Sequence, residues 1–151
     1  MTVKEAYIGF KGQNNSSAMI VDALSEQHYL LTNSFVGLKK DIDLLPTEFD
    51  AVYLFGASKD LTDTFRIERC AEIDCTRLFT ELDVEDIVKR LSAAGINSTI
   101  SDVPTHYLCN EAYQHLLRKY RGRAVLIHIP TIKYIGRIFD KISFSRIWTG
   151  S

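Results

Sequence analysis

Residues 124–129, AVLIHI, form a continuous apolar run that carries one ionisable side chain, His128, and is ended by Pro130. A short apolar run of this kind is typical of a strand buried on both faces of a sheet. The segment before it, residues 109–121, has a helical pattern. Its predicted packing face consists of four large apolar residues, Tyr113, Leu116, Leu117 and Tyr120. A helix that leads directly into a buried strand indicates an α/β fold.

The same alternation extends through the rest of the chain. We predict strands at residues 7–10, 28–32, 51–55 (closed by Gly56) and 99–101, and a looser strand nearer an edge at residues 65–75. We predict helices at residues 16–26, 35–45, 83–94 and 131–148, the first of them capped by Ser16 or Ser17. Strands alternating with helices predict a mostly parallel twisted sheet covered on both faces, a three-layer sandwich. Ligands in such folds bind beyond the carboxyl ends of the strands.

Length and composition restrict the class of protein. The chain has 151 residues, of which 46% are hydrophobic and 25% charged, so residues 1–151 are expected to form a single domain with its own core. Three cysteines are an odd number, which excludes a complete disulfide framework. No apolar run approaches the ~20 residues that span a bilayer, and the N-terminal segment has no signal-peptide pattern. We therefore expect a cytoplasmic protein with no membrane contact.

Charge is distributed unevenly although the formal net charge is −1. Residues 117–151 hold eight basic side chains and one acidic one, Asp140. Such a surface can bind RNA or an acidic partner. The alternative is a solvated face paired with acidic stretches such as residues 83–86. Because no stacking-aromatic motif accompanies the basic residues, we expect no nucleic-acid partner.

Three residues suggest nucleophilic chemistry. Cys109 is predicted near a helix N-terminus, where unpaired backbone N–H groups and the helix dipole lower a thiol pKa. His128, nineteen residues later, could supply the base that a thiol nucleophile requires, and Glu68 could orient the imidazole if its strand is adjacent. The competing interpretation is a buried core thiol and a structural histidine. The spacing of Cys70 and Cys75 lacks a second ligand pair, so we predict no metal site.

Three segments resemble a known enzyme family. They are residues 87–96 (IVKRLSAAGI), Tyr107-Leu108-Cys109-Asn110 and Ile127-His128-Ile129-Pro130. The last two, with the distance between them, are the specific part, and they are similar to pyroglutamyl peptidase I, the pyrrolidone-carboxylate peptidase family. That family consists of cysteine peptidases that remove an N-terminal pyroglutamate.

Weaker similarity extends upstream. Glu68-Arg69 followed by Ala71 resembles the family's E-R-x-A segment. Gly9-Phe10 with Asn15 and Ser17 resembles a shortened form of its opening motif. The resemblance thus covers most of the chain, in patches.

The resemblance implies a fold of the phosphorylase/hydrolase type and a set of roles. Cys109 would be the nucleophile, His128 the general base and then acid, and Glu68 the third member of the triad. Phe10, Tyr107 and Leu108 would border the substrate pocket. The resemblance also implies a small peptide substrate, no cofactor, and a cytoplasmic homo-oligomer.

The sequence departs from the family around this pocket. Residues 11–14 (KGQN) replace a second aromatic and paired glycines, and residues 57–60 (ASKD) replace a glycine-rich loop. Thr105 stands where the family has a glycine, and the chain is much shorter between Ile73 and Leu78. Two hypotheses follow: a hydrolase with an altered pocket, or a degenerate relative that binds a peptide or protein without turnover.

Overall fold

The computed structural model describes residues 3–136 and 138, and its centre is a six-stranded sheet with the order β2-β1-β3-β8-β4-β7. A separate two-stranded ribbon pairs β5 with β6. The elements are β1 Glu5–Phe10, α1 Ser16–Leu24, β2 Tyr29–Leu31, α2 Phe35–Asp43, β3 Ala51–Ser58, β4 Thr64–Glu68, β5 Cys70–Ile73, β6 Thr76–Phe79, α3 Val84–Ala93, β7 Asn97–Ser101, α4 Tyr107–Lys119 and β8 Ala124–Pro130.

Strand β8 occupies the middle of the sheet, as its apolar sequence predicts. All seven of its residues are buried. It runs parallel to β3 on one side and antiparallel to β4 on the other, and the remaining pairs of the sheet are parallel. The predicted α/β class with a mostly parallel sheet is therefore confirmed.

Apolar side chains fill the space on both faces of this sheet. Residues of α1 and α3, including Ile20 and Leu91, pack with Ile127 in one cluster. Residues of α2 and α4, including Leu38 and Leu116, form a second cluster with Leu126. Because consecutive residues of a strand point to opposite faces, β8 contributes to both clusters. Helices thus cover both faces, and the structure has the predicted three layers.

The N-cap of α1 differs from the prediction. Asn15, rather than Ser16 or Ser17, caps the helix: its Oδ1 accepts from the Ser17 backbone N–H at 2.9 Å and from the Ser17 hydroxyl at 2.6 Å. The Ser17 oxygen in turn accepts from the Phe10 N–H. The Ser16 hydroxyl donates to the carbonyl of Pro130 at 2.7 Å. Both serines are engaged in tying α1 to β1 and β8, which leaves the cap to the preceding asparagine.

Residues 65–75 do not form one strand near an edge. They belong to two strands, β4 and β5, which are separated at Arg69. β4 lies inside the sheet between β8 and β7, and β5 turns back into β6 through Asp74 and Cys75, which both have positive φ, 48° and 64°. Two consecutive left-handed residues are the geometry of a tight hairpin turn. The prediction was wrong because alternating polar residues in β4 resemble a solvated strand face.

The tail prediction can be compared only in part. Residues 132–136 are helical, and the rest of the predicted 131–148 helix, apart from residue 138, lies outside the described residues. Within residues 3–136 and 138, no helix has the length and apolar character needed to cross a membrane.

Leu126→Ala and Ile127→Ala test the two-sided core. Each residue is fully buried, on opposite faces of β8. We expect each substitution to lower the free energy of unfolding by about 2–5 kcal/mol, since each leaves a cavity in a packed layer. Urea denaturation measures the change. Val103→Ala, at an exposed position, is the control and should change stability by less than about 0.5 kcal/mol. A small effect for either core variant would mean that the sheet is open on that face.

Candidate active site

The pairing of β4 with β8 brings an acid next to the histidine. In this antiparallel register Arg66 lies opposite His128 and Glu68 lies opposite Leu126. Glu68 Oε2 is 2.7 Å from His128 Nδ1. Both side chains are almost completely buried, with exposed fractions of 2% and 4%. The acid therefore holds the ring through Nδ1 and leaves Nε2 available for another partner.

The start of α4 places Cys109 in the site. The helix begins at Tyr107, so Cys109 is its third residue, and the N-cap residue His106 makes no side-chain cap. The first N–H groups of a helix have no partner within the helix. Tyr107 has a positive φ of 59°, which is uncommon for a large side chain. This backbone bend leads the chain from the loop before α4 into the helix.

The sulfur and the imidazole converge above Gly56 of β3. A Cβ atom built at Gly56 would lie 2.8 Å from Cys109 Sγ, 3.4 Å from His128 Cδ2 and 3.5 Å from His128 Nε2. The first distance is shorter than any side chain tolerates. Gly56 is directly opposite His128 in the β3–β8 register. From the sequence, this glycine is predicted only to close a strand, because its part in the site depends on three elements meeting.

Protonation of the buried groups follows from their surroundings. Burial alone would raise the pKa of the Glu68 carboxyl, but hydrogen bonds from His128 and Arg66 outweigh it and hold that pKa below its usual range. Burial, with the nearby Glu68 carboxylate, raises the pKa of the Cys109 thiol to about 11. The expectation of a lowered thiol pKa is thus wrong for this structure, because desolvation and a like charge dominate. Cys109 is a neutral thiol at pH 7.

A cleft of about 580 Å³ opens onto Cys109 and His128. Its lining includes residues 57–60, at the end of β3 and just after it, and residues 105–108, just before α4 and in its first turn. Arg66 also lines the cleft. The first segment carries the charged residues Lys59 and Asp60, and the second carries Tyr107 and Leu108. Charged, aromatic and aliphatic residues therefore all line the cleft.

The structure brings some of the predicted pocket residues together. Tyr107, whose surface is 83% exposed, and Leu108 both line the cleft. Phe10 is buried in the cluster of α2 and α4, against which Leu108 and Cys109 pack, and it is not among the described residues that line the cleft. His106, the residue before α4, lines the cleft as well.

Arg66 was not identified from the sequence. Its Nε donates to Glu68 Oε2 at 2.6 Å, and it lies on the same face of β4 as Glu68. A signal was present, because residues two apart on a strand face the same side.

The other two cysteines are not among the described residues that line the cleft. Cys70 is buried and Cys75 is exposed on the hairpin, and all three cysteines are free thiols. In the part of the chain that the structure describes, no three histidine, cysteine or acidic side chains are grouped so that they could hold a metal ion.

Comparison with solved structures shows the fold clearly, whereas neither family models nor curated proteins match the sequence. Pyroglutamyl peptidase I from Bacillus amyloliquefaciens has a TM-score of 0.77 at 17% identity, over 96% of this chain and 94% of that one. Pyrrolidone carboxyl peptidase from Thermococcus litoralis has a TM-score of 0.72 at 19% identity, over 99% and 97%. The Thermus thermophilus enzyme has a TM-score of 0.71 at 17% identity, over 94% and 99%. The chain therefore has the fold of the pyroglutamyl, or pyrrolidone carboxyl, peptidases.

Proposed function

We propose that this protein is a cysteine hydrolase that removes a pyroglutamyl or related residue from the N-terminus of a peptide. The observation that carries the proposal is the convergence of Cys109 Sγ and the His128 ring above Gly56. Glu68 Oε2 lies 2.7 Å from Nδ1 of the same ring. A nucleophile, a base and a group that orients the base are the components of covalent acyl transfer. The shared fold and the matching Tyr107–Asn110 and Ile127–Pro130 segments support the peptidase class.

The reaction begins with a proton transfer, because Cys109 is neutral at rest. His128 Nε2 takes the thiol proton as Sγ attacks the carbonyl carbon of the N-terminal residue. The unpaired N–H groups at the start of α4 stabilise the negative charge that develops on the carbonyl oxygen. The C–N bond then breaks, His128 gives its proton to the departing amine, and a thioester remains on Cys109. Throughout, Glu68 accepts the Nδ1–H bond and holds the ring in one orientation.

Hydrolysis of the thioester reverses these roles. His128 removes a proton from a water molecule, which attacks the thioester carbonyl, and the proton returns to sulfur as the acid leaves. Apart from the water molecule, the side chains and backbone of this protein supply every group in these steps, so the proposed reaction calls for no cofactor.

We assign contacts with the N-terminal residue of the substrate to Tyr107 and Leu108, with Phe10 in the buried cluster against which Leu108 packs. Lys59 and Asp60 are the lining residues at which specificity would depart from that of the structurally similar peptidases. A peptide substrate, a cytoplasmic location and self-association belong to the same proposal.

A binding module without turnover is the second candidate. The observations that favour it are the charged residues at 57–60 and the neutral, buried thiol of Cys109. Such a module would hold a peptide N-terminus in the same cleft and leave it intact.

A fluorogenic pyroglutamyl amide separates the two candidates. We expect the protein to release the fluorophore, and Cys109→Ser to lower kcat/KM by on the order of 10³-fold or more, because the nucleophile is lost. Cys75→Ser, at an exposed thiol that is not among the described residues lining the cleft, is the matched control and should retain activity. Binding of the amide by the wild-type protein without any release would support the module and contradict the hydrolase.

Gly56→Ala tests the convergence of the two side chains. The added methyl would overlap Cys109 Sγ, so the sulfur and the ring must separate. A displacement near 1 Å at the reacting atoms costs about 10²-fold in kcat. Gly136→Ala is the control, since its Cβ would meet no atom of the described residues within 4 Å. Equal activity of the two variants, at equal far-UV circular dichroism, would contradict the proposed arrangement.

Alkylation by iodoacetamide tests the protonation state of Cys109. Only the thiolate reacts, and with a pKa of about 11 its fraction rises about tenfold per pH unit from neutrality. We therefore expect exposed Cys75 to be alkylated before Cys109 at pH 7, and the Cys109 rate to keep rising up to about pH 11. Mass spectrometry of the labelled peptides gives both rates. A Cys109 rate that is already constant at pH 7 would show a stabilised thiolate instead.

A further inference from the structure

Arg66 forms a three-way contact with the acid and the histidine. It lies two residues before Glu68 on β4 and directly opposite His128 on β8. Its Nε donates to Glu68 Oε2 at 2.6 Å, and His128 Nδ1 lies 2.7 Å from the same oxygen. Its Nη2 is 3.4 Å from His128 Nδ1. One carboxylate oxygen therefore serves two donors from two neighbouring strands.

We propose that Arg66 is a positioning residue of this site, which keeps Glu68 ionised and fixes Oε2 as the acceptor for His128 Nδ1–H. The inference rests on the proposed function for its catalytic consequence, whereas the contact itself is a property of the structure. Arg66 needs no contact with the reacting atoms to act in this way.

The need for such a residue follows from the burial of Glu68. Its side chain is 2% exposed, so water cannot compensate the charge of the carboxylate. In the proposed mechanism, His128 gains and loses a proton in each half-reaction, and it cannot supply a constant positive charge. A guanidinium stays charged at every pH at which proteins are folded. Arg66 thus stabilises the carboxylate whatever the state of the imidazole.

A protonated Glu68 would fail in its role. A neutral carboxyl group carries its own O–H donor, which competes with Nδ1–H for the same geometry. The imidazole could then rotate away from the sulfur. An ionised Glu68 accepts only, and this restricts the ring to the orientation that presents Nε2 towards Cys109.

The other ionisable groups around Glu68 cannot replace the arginine. His128 faces it from β8, Cys109 and Tyr113 from α4, and Cys70 from β5. Tyr113 donates its hydroxyl to the backbone carbonyl of Glu68 at 2.7 Å, not to the carboxylate. The thiols and the phenol are neutral or negative in every protonation state. Of these described neighbours, Arg66 alone brings a permanent positive charge.

Loss of Arg66 is expected to raise the pH at which Glu68 becomes protonated. Burial raises the pKa of Glu68, and the bonds from His128 and Arg66 lower it to below its usual range. Removing Arg66 leaves burial opposed by His128 alone, so the carboxyl pKa rises. Activity that requires the carboxylate is then lost at a higher pH as the solution is acidified.

A direct role in substrate binding is the competing interpretation, since the Arg66 side chain is 26% exposed and lines the cleft. A guanidinium in contact with substrate would change KM when it is removed. It would leave the acid limb of the kcat profile where it is. The two roles therefore differ in pH dependence as well as in which kinetic constant changes.

The test uses Arg66→Gln and Arg66→Lys in the full chain. Carbon-13 NMR of the Glu carboxyl groups, with Glu68→Gln to assign the signal, follows the ionisation of Glu68 without any substrate. We expect its midpoint to rise by about one pH unit or more in R66Q and to stay near the wild-type value in R66K, which keeps the charge. The acid limb of kcat for the pyroglutamyl amide should move in the same direction in R66Q and recover in R66K.

Three results would overturn the proposal. The first is a Glu68 midpoint in the wild-type protein at or above the usual carboxyl range, a measurement that stands even if R66Q does not fold. The second is an R66Q protein with an unchanged midpoint and acid limb. The third is an R66Q protein in which a rise in KM is the only change. If the NMR midpoint moves as expected but no protein, wild type included, releases product, the hydrolase proposal fails and the positioning of Glu68 by Arg66 stands.

Discussion

The antiparallel pairing of β4 with β8 is the constraint on which the site depends. The other described strand pairs of the six-stranded sheet are parallel. The antiparallel pair places Glu68 beside His128, and it places Arg66 directly opposite His128. A shift of one residue would turn Arg66 and Glu68 to the other face, away from the histidine and the cysteine. Two apolar residues of β4, Phe65 and Ile67, are completely buried in the core cluster of α1 and α3, and this burial holds the register.

Burial by itself raises the pKa of both Glu68 and Cys109, the two ends of the predicted triad, but their charge states differ. Glu68 stays charged because two donors compensate it, whereas Cys109 is uncompensated and stays neutral. The same carboxylate that orients His128 also opposes ionisation of the sulfur. In the proposed reaction, an arrangement of this kind favours proton transfer during attack over a resting thiolate–imidazolium pair. It also slows oxidation and alkylation of the resting thiol, since those require the thiolate.

The fold and the lining of the cleft carry different information. Structures from three microorganisms share the fold at 17–19% identity, so packing of the layers tolerates wide sequence change. The cleft tolerates fewer sequence changes, because a side chain at position 56 would overlap the Cys109 sulfur. Lys59, Asp60, Tyr107 and Leu108 line the cleft. Under the proposed function, substrate choice is therefore assigned to a few residues placed on a common scaffold.

Apolar periodicity in the sequence was sufficient for the α/β class, for buried β8 and for the packing face of α4, because local spacing alone decides which side of an element is buried. Cys109, His128 and Glu68 were predicted as candidates mainly through the resemblance. Periodicity failed at β4, where Arg66 and Glu68 produce the alternation of an exposed strand although both face a buried site. Only the tertiary structure decided the role of Gly56, the contact of Arg66 and the neutral state of Cys109. Each of these depends on distances between residues far apart in the chain and on exclusion of water, which no local pattern encodes.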